Sequence, residues 1–215
     1  VYAGGVPALW LRRVATSSGG GLLGLLFSAG LFVLLAERRL LPVGIAGLAA
    51  MPFVLPASLW SRLASSLAMS DSSSLYRLSI YKASGEIIQH YWATGIGIGA
   101  FPQIYPLFSF EAANAYHAHN LFLEEFIELG IVGFVLLLLL LVFFFQRLYS
   151  AMGKTPRRFK VLLGAMFGGF AGLLLQGMTD HLWFDYRIVL LFWCFIGISM
   201  AAVRVGENEW RREKR

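Results

Sequence analysis

The apolar run from Ile131 to Phe145 constrains this chain more than any other feature, because it carries no charge and is pure leucine from Leu136 to Leu141. A helix rises about 1.5 Å per residue, so this run and its neighbours suit the hydrocarbon core of a bilayer. Of the 215 residues, 58% are hydrophobic and 14% are charged. A soluble domain of this size cannot bury so much apolar surface, so we predict an all-α, polytopic helical membrane protein.

Five hydrophobic stretches are predicted to span the membrane within a single membrane domain that covers residues 1–215. Pro42, Pro52 and Pro56 are expected to kink or shorten the second span. Because the chain starts at Val1 without a signal sequence, we expect a fragment that lacks its amino-terminal spans. The predicted spans lie near residues 19–36, 40–60, 129–146, 161–178 and 188–203.

The segment 61–120 has no run long enough to span, and we predict it to be one large extracytoplasmic loop containing interfacial helices. Asp71 or Ser72 is suited to cap a helix that runs toward Trp92. The sequence Gly-Ile-Gly-Ile-Gly at 95–99 then predicts a flexible hinge. It completes neither a dinucleotide fingerprint nor a Walker motif, so it does not indicate a phosphate-binding loop.

The net charge of +6 is concentrated in short segments that flank the spans. Basic flanks mark the cytoplasmic side, so the segment 154–160 and the carboxy-terminal tail are predicted to be cytoplasmic. The segment 61–120 and the short loop around Asp180 then face outward. These charges do not follow a continuous groove, which argues against nucleic acid as a partner.

Two histidines, His117 and His119, precede the long apolar helix, and His119 or Asn120 is suited to cap its first turn. A histidine with a pKa near 6.5 is suited to act as a general base at neutral pH. The same pair also fits two interfacial side chains that bind only headgroups and backbone. A metal site would need further ligands, and the sequence has no HExxH motif or cysteine cluster, so we predict none. The spacing does not decide between these interpretations.

Other charged residues carry weaker signals. Arg77 on the loop helix presents a planar fork that fits two phosphate oxygens, although a solvated or headgroup-bound arginine is the commoner case. Glu124, Glu125 and Glu128 are candidate acid–base carboxylates, although a helix-start preference also accounts for them. Asp180, His181 and Asp185 lie on the same predicted side as the histidines and are candidates to join the site, although positions in a loop turn also explain them.

The ordered combination of Arg77, the segment Thr94–Phe101, His119–Glu124 and Glu128–Phe134 resembles the O-antigen ligase and polymerase family of bacterial envelopes. The resemblance covers about residues 16–203 and corresponds to the carboxy-terminal part of such proteins. It implies glycosyl transfer on the outer face of the bacterial cytoplasmic membrane, from an undecaprenyl diphosphate-linked glycan to a glycan or lipid-linked acceptor such as the lipopolysaccharide core. It also implies a reaction without metal, nucleotide sugar or other cofactor.

The resemblance places His119 at the catalytic histidine of the family and Arg77 at the loop arginine that handles the diphosphate. One departure concerns the family's Ser-Arg-Gly motif, because Ser18 stands where its arginine is expected. We expect Arg12 or Arg13 to compensate. The residues assigned to substrate binding are His117, Asn120, Tyr81, Arg12, Arg13 and Asp180.

The competing class is a membrane transporter or a non-catalytic structural component of the membrane. Such a protein would carry polar residues along a path through the bilayer centre. The predicted spans hold almost no charge at mid-depth, and the ionisable residues gather outside them. This distribution favours the enzyme.

Overall fold

The computed structural model describes residues 19–54, 72–109 and 115–215, and within these ranges the chain is helical with no strand. The prediction of an all-α protein is confirmed. The helices in chain order are α1 (Gly19–Leu35), α2 (Leu41–Val54), α3 (Ser72–Tyr91), α4 (Phe101–Phe108), α5 (Leu121–Met152), α6 (Arg157–Gly177) and α7 (Tyr186–Glu213), with 3-10 turns at Arg38–Leu40 and Leu182–Phe184.

Three helices, α5, α6 and α7, are long and apolar enough to cross a membrane. The segments Gly20–Leu35 and Arg38–Ala50 reach that length only together, and they are bent by 120°. The described residues therefore hold three candidate spans, or four if the bent pair is one broken span. The stretch predicted as the second span continues into residues 55–60, which lie outside the described ranges, so five spans stay a prediction.

Glycines let α1 and α6 approach closely. A Cβ atom on Gly168 would lie 2.6 Å from the carbonyl oxygen of Ser28, and one on Gly172 would lie 2.3 Å from that of Gly24. Lipid is as apolar as a leucine side chain, so helices in a membrane associate through such close packing rather than by hiding apolar surface from water.

The helices α5, α6 and α7 share an aromatic core in which Phe144 and Phe192 both pack edge-on against Phe170. Ion pairs join α5 to α7 and α6 to α7, and a third links α6 to Glu37, which follows α1. Arg147 makes two hydrogen bonds of 2.7 Å to Glu207, Arg157 lies 2.8 Å from Glu37, and Arg158 pairs with Glu209. Each pair has an exposed partner, so we expect each to contribute at most about 1 kcal/mol.

The helix α5 is interrupted at Gly130, where φ is 65° and ψ is −178°. A continuous helix was the expectation from the sequence, and it is wrong at this residue. The break lets the amide of Ile131 donate to the carbonyl oxygen of Trp92 at 2.8 Å. The membrane-length apolar part of α5 thus begins after Gly130, close to the predicted start of the third span.

The glycine segment 95–99 packs directly against this break. Ile96 and Gly97 donate their amides to the carbonyl oxygens of Ile127 and Glu128 at 2.9 and 3.0 Å. The Glu128 side chain accepts a further bond of 2.7 Å from Gly99. A Cβ on Gly95 would lie 2.3 Å from the Glu128 carbonyl oxygen, so only glycine fits. The prediction of a flexible hinge is wrong, because these bonds fix the segment as a tight turn.

Candidate functional site

The start of α5 carries the histidine stretch and is held by its cap. Asn120 accepts a hydrogen bond from the amide of Leu123 at 3.1 Å, which confirms it as the N-cap. Its side-chain nitrogen donates to the carbonyl oxygen of Met178 at 3.1 Å. One side chain therefore ties the histidine stretch to the end of α6, where Asp180 follows.

His119 and Asp180 lie together, although they are 61 residues apart in the chain. His119 Nδ1 is 3.3 Å from Asp180 Oδ1, and the same carboxylate oxygen accepts the amide of His181 at 2.9 Å. A carboxylate only accepts, so this contact assigns the proton of neutral His119 to Nδ1 and leaves the lone pair on Nε2. The hydrogen bond from His119 lowers the pKa of Asp180, which is therefore ionised at neutral pH.

In His117 the ring proton lies on the other nitrogen than in His119. Its Nδ1 accepts the amide of His119 at 3.2 Å, so in the neutral ring the proton lies on Nε2. Burial lowers the pKa of His117, and the neighbouring His119 lowers it further. The ring contacts His119 at 4.2 Å and Phe184 at 5.0 Å between centroids. His117 is therefore suited to donate a hydrogen bond as a neutral group.

The ligand atoms of His117, His119 and Asp180 lie within 4.8 Å of one another, which is close enough to ask whether they hold a metal. Two imidazoles and a carboxylate match a zinc ligand set. However, His117 Nδ1 is engaged by the His119 amide, and His119 Nδ1 faces Asp180. Binding a metal through His117 would require its bond to the His119 amide or its ring proton to move, whereas His119 Nε2 is free. The contact between His119 and Asp180 also fits a base that a carboxylate orients.

The backbone of His119 is strained. Its φ is 50°, and no other non-glycine residue has a positive φ in the ranges that the structure describes. Such a conformation costs about 1–3 kcal/mol and persists only where the surroundings enforce it. Tyr81 contributes to this by donating its hydroxyl to the carbonyl oxygen of His119 at 3.4 Å. Strain of this kind is typical of functional sites.

Helix α3 forms one side of the site. Tyr76 packs edge-on against the His119 ring at 6.0 Å between centroids. Arg77 lies one turn before Tyr81 on the same helix face and is partly buried. Among the described residues, no carboxylate forms an ion pair with Arg77. The guanidinium is thus available to an anionic ligand.

The remaining predicted site residues have other positions. Arg12 and Arg13 lie outside the described residues. The polar side-chain atoms of Asn120 and the hydroxyl of Tyr81 already bond to the protein, so the structure shows them supporting the histidine stretch.

Three further residues lie at the site: His181, Phe184 and Glu124. The sequence raised His181 and Glu124 as candidates without a specific role, and it did not point to Phe184. Burial lowers the pKa of His181 to about 4, which keeps it neutral beside Asp180. Its position next to Asp180 was the only signal in the sequence.

The fold and the site define a helical membrane protein with a histidine–aspartate pair at one end of its helix bundle. The family model described as O-antigen ligase matches residues 7–138, more than half of the chain, and the chain belongs to that family. Membership indicates a glycosyltransferase-type enzyme of a bacterial membrane. No curated protein and no solved structure matches the chain. The family match includes Arg77 and His119 but ends before Asp180.

Proposed function

We propose that this protein transfers a glycan from an undecaprenyl diphosphate-linked donor to a sugar hydroxyl of a lipid-linked acceptor, on the outer face of the bacterial cytoplasmic membrane. The observation that carries the proposal is the contact between His119 and Asp180, in a chain of the O-antigen ligase family. A base oriented by a carboxylate is the arrangement needed to activate a hydroxyl nucleophile.

In the proposed reaction, His119 Nε2 takes the proton of the acceptor hydroxyl as its oxygen attacks the anomeric carbon. The bond between that carbon and the phosphate oxygen breaks, and undecaprenyl diphosphate leaves with the electron pair. A single displacement of this kind inverts the anomeric configuration. The Asp180 carboxylate stabilises the imidazolium that forms on His119.

The leaving diphosphate accumulates negative charge, and we assign Arg77 to stabilise it. Support comes from its place on α3 beside Tyr76, which contacts His119, and from its lack of an ion-pair partner in the described ranges. The Nε2 proton of His117 is assigned to a substrate oxygen. Substrate contacts by Asn120, Tyr81, Arg12, Arg13 and Asp180 stay predictions.

A transporter would need ionisable groups along a path through the membrane. The apolar parts of the three long helices, 131–145, 161–177 and 188–203, contain no Asp, Glu, Lys, Arg or His. The titratable cluster lies instead at one end of the bundle, which supports the transferase.

The direct test uses the full-length protein in proteoliposomes with a defined undecaprenyl diphosphate-linked glycan and several acceptors. We expect transfer to at least one acceptor. The rate should be unchanged by EDTA, because the proposed base, His119, and the proposed diphosphate ligand, Arg77, are both protein side chains. Failure with every acceptor contradicts the function. Loss of activity in EDTA that Zn²⁺ restores contradicts the proposed absence of a metal.

The proposed orientation makes a separate prediction. In a Cys194→Ala background, an impermeant thiol reagent applied to intact cells with a permeabilised outer membrane should label Ile98→Cys and spare Lys154→Cys. Ile98 is 83% exposed and Lys154 is also exposed, so access through the membrane decides the outcome. If only Lys154→Cys is labelled, the protein has the opposite orientation in the membrane and the proposal is wrong on this point.

Arg77→Lys keeps the positive charge of the residue but loses its two-pronged geometry. We expect transfer to fall about 10²-fold in Arg77→Ala, with Arg77→Lys in between, at wild-type abundance in the membrane. Lys82→Ala removes an exposed cation from the same helix and serves as the matched control. Equal turnover in wild type and both Arg77 variants removes this residue from the mechanism.

A further inference from the structure

The strained backbone of His119 is flanked by a buried carboxylate that the proposed reaction does not use. Glu124 is 2% exposed, and its Oε2 accepts the amide of Ala118 at 2.5 Å. Ala118 itself is fully buried. The bond therefore fixes the peptide that joins His117 to Ala118, one residue before His119.

This bond restrains the backbone that carries the His119 ring. Glu124 lies in the first turns of α5, whose start is held by the Asn120 cap. The Glu124 side chain reaches back past that cap to the loop, so residues 118–124 form a closed ring of contacts. Because His119 lies inside this ring with a φ of 50°, releasing Ala118 lets the His119 backbone relax.

Glu125 provides a natural comparison. It is the adjacent carboxylate and is partly buried, but it makes no hydrogen bond or ion pair within the described ranges. Two neighbouring glutamates thus differ in their contact with the histidine stretch. A preference for carboxylates at the start of a helix would apply equally to both, so it does not explain this difference.

We propose that Glu124 is a positioning residue, which holds the Ala118 amide so that the His119 ring faces Asp180 with Nε2 open to the acceptor hydroxyl. This inference rests on the proposed function for its effect on rate. The role needs a hydrogen-bond acceptor at the right distance, and it does not need a negative charge.

Three substitutions separate the reach of the side chain from its carboxyl group. Glu124→Gln keeps an acceptor oxygen at the same distance, Glu124→Asp keeps the carboxyl group but is one methylene shorter, and Glu124→Leu keeps the bulk without an acceptor. We expect Glu124→Gln to retain most of the transfer rate. We expect kcat to fall roughly tenfold in Glu124→Asp and about 10²-fold in Glu124→Leu with KM little changed, since a displacement of about 1 Å can cost that much.

Glu125→Leu is the matched control, and its kcat is expected to stay within about threefold of wild type, as a side chain outside the contact ring requires. If Glu124→Leu does not accumulate in the membrane, the comparison of Glu124→Gln with Glu124→Asp decides the question. A slow Gln variant beside a fast Asp variant shows that the carboxyl group itself is required and overturns the proposal. Wild-type kcat in all Glu124 variants overturns it as well.

A readout independent of activity keeps this inference separate from the proposed function. Diethyl pyrocarbonate modification of His119, followed by mass spectrometry, reports how well the loop is held. We expect faster modification in Glu124→Leu than in wild type, Glu124→Gln or Glu125→Leu. Unchanged modification contradicts the positioning role even if the protein proves to have another activity. Faster modification without any transfer by the wild type leaves the positioning intact and rejects the function.

Discussion

His119→Ala is expected to abolish glycan transfer while the protein accumulates in the membrane at the wild-type level. The substitution removes Nε2, the atom left unprotonated by the contact between Nδ1 and Asp180. Loss of a general base typically costs about 10²–10⁴-fold in rate. Initial rates with the lipid-linked donor, normalised to the amount of protein, measure the effect.

Substitutions of the other histidines show whether the loss of any imidazole ring has the same effect as the loss of His119. His117→Ala should be milder, because His117 is assigned a hydrogen bond to substrate and no proton transfer. His90 is exposed on α3, bonds to the carbonyl oxygen of Glu86, and lies outside the contacts of the site, so His90→Ala should be silent. Full specific activity in His119→Ala rejects both the mechanism and the transferase assignment of this site. Comparable losses in His117→Ala, His119→Ala and EDTA indicate a metal instead.

Asp180→Asn is expected to have the second large effect, about 10²–10⁴-fold on kcat, by analogy with other carboxylate-oriented histidines. The amide has nearly the same shape but can donate to His119 Nδ1. That donation moves the histidine proton to Nε2, where it blocks the base. The hydrogen bond from His119 lowers the pKa of Asp180, so in wild type the carboxylate is ionised at neutral pH and accepts the Nδ1 proton.

Asp185→Asn is the matched control, five residues further along the same loop. Asp185 accepts the amide of Arg187 and caps α7, and asparagine caps helices as well as aspartate does. We expect it to leave both abundance and transfer unchanged. Asp180→Asn with normal kcat would show that Asp180 does not orient the base and would limit the mechanism to His119 and Arg77.

Local features of the sequence were sufficient to predict the membrane class, the all-helical fold and a helix cap at His119 or Asn120. Each depends on residues close together in the chain: an apolar run that favours lipid, or a side chain that reaches an amide three residues ahead. The resemblance to the O-antigen ligase family also followed from short motifs, and the family match agrees with it. Such local features can be recognised in the sequence without knowing how distant segments pack together.

The break at Gly130 was not predictable in this way. A single glycine is tolerated within a helix, so Gly130 alone does not predict a break. What interrupts the helix is the approach of the segment 92–97, whose backbone groups bond to the interrupted turn. A distant partner for the backbone outweighed local helix preference.

Only the tertiary structure showed which side chains of the site contact one another. Sequence reasoning placed His119 and Asp180 on the same side of the membrane, but only packing of α5 against α6 brings Nδ1 within 3.3 Å of the carboxylate and so assigns the proton. Glu124 seemed explained by its place in the first turns of a helix, yet it is buried and bonds to Ala118. Composition and periodicity reflect sums over neighbouring residues, whereas a hydrogen bond depends on a few tenths of an ångström between segments that only the fold brings together.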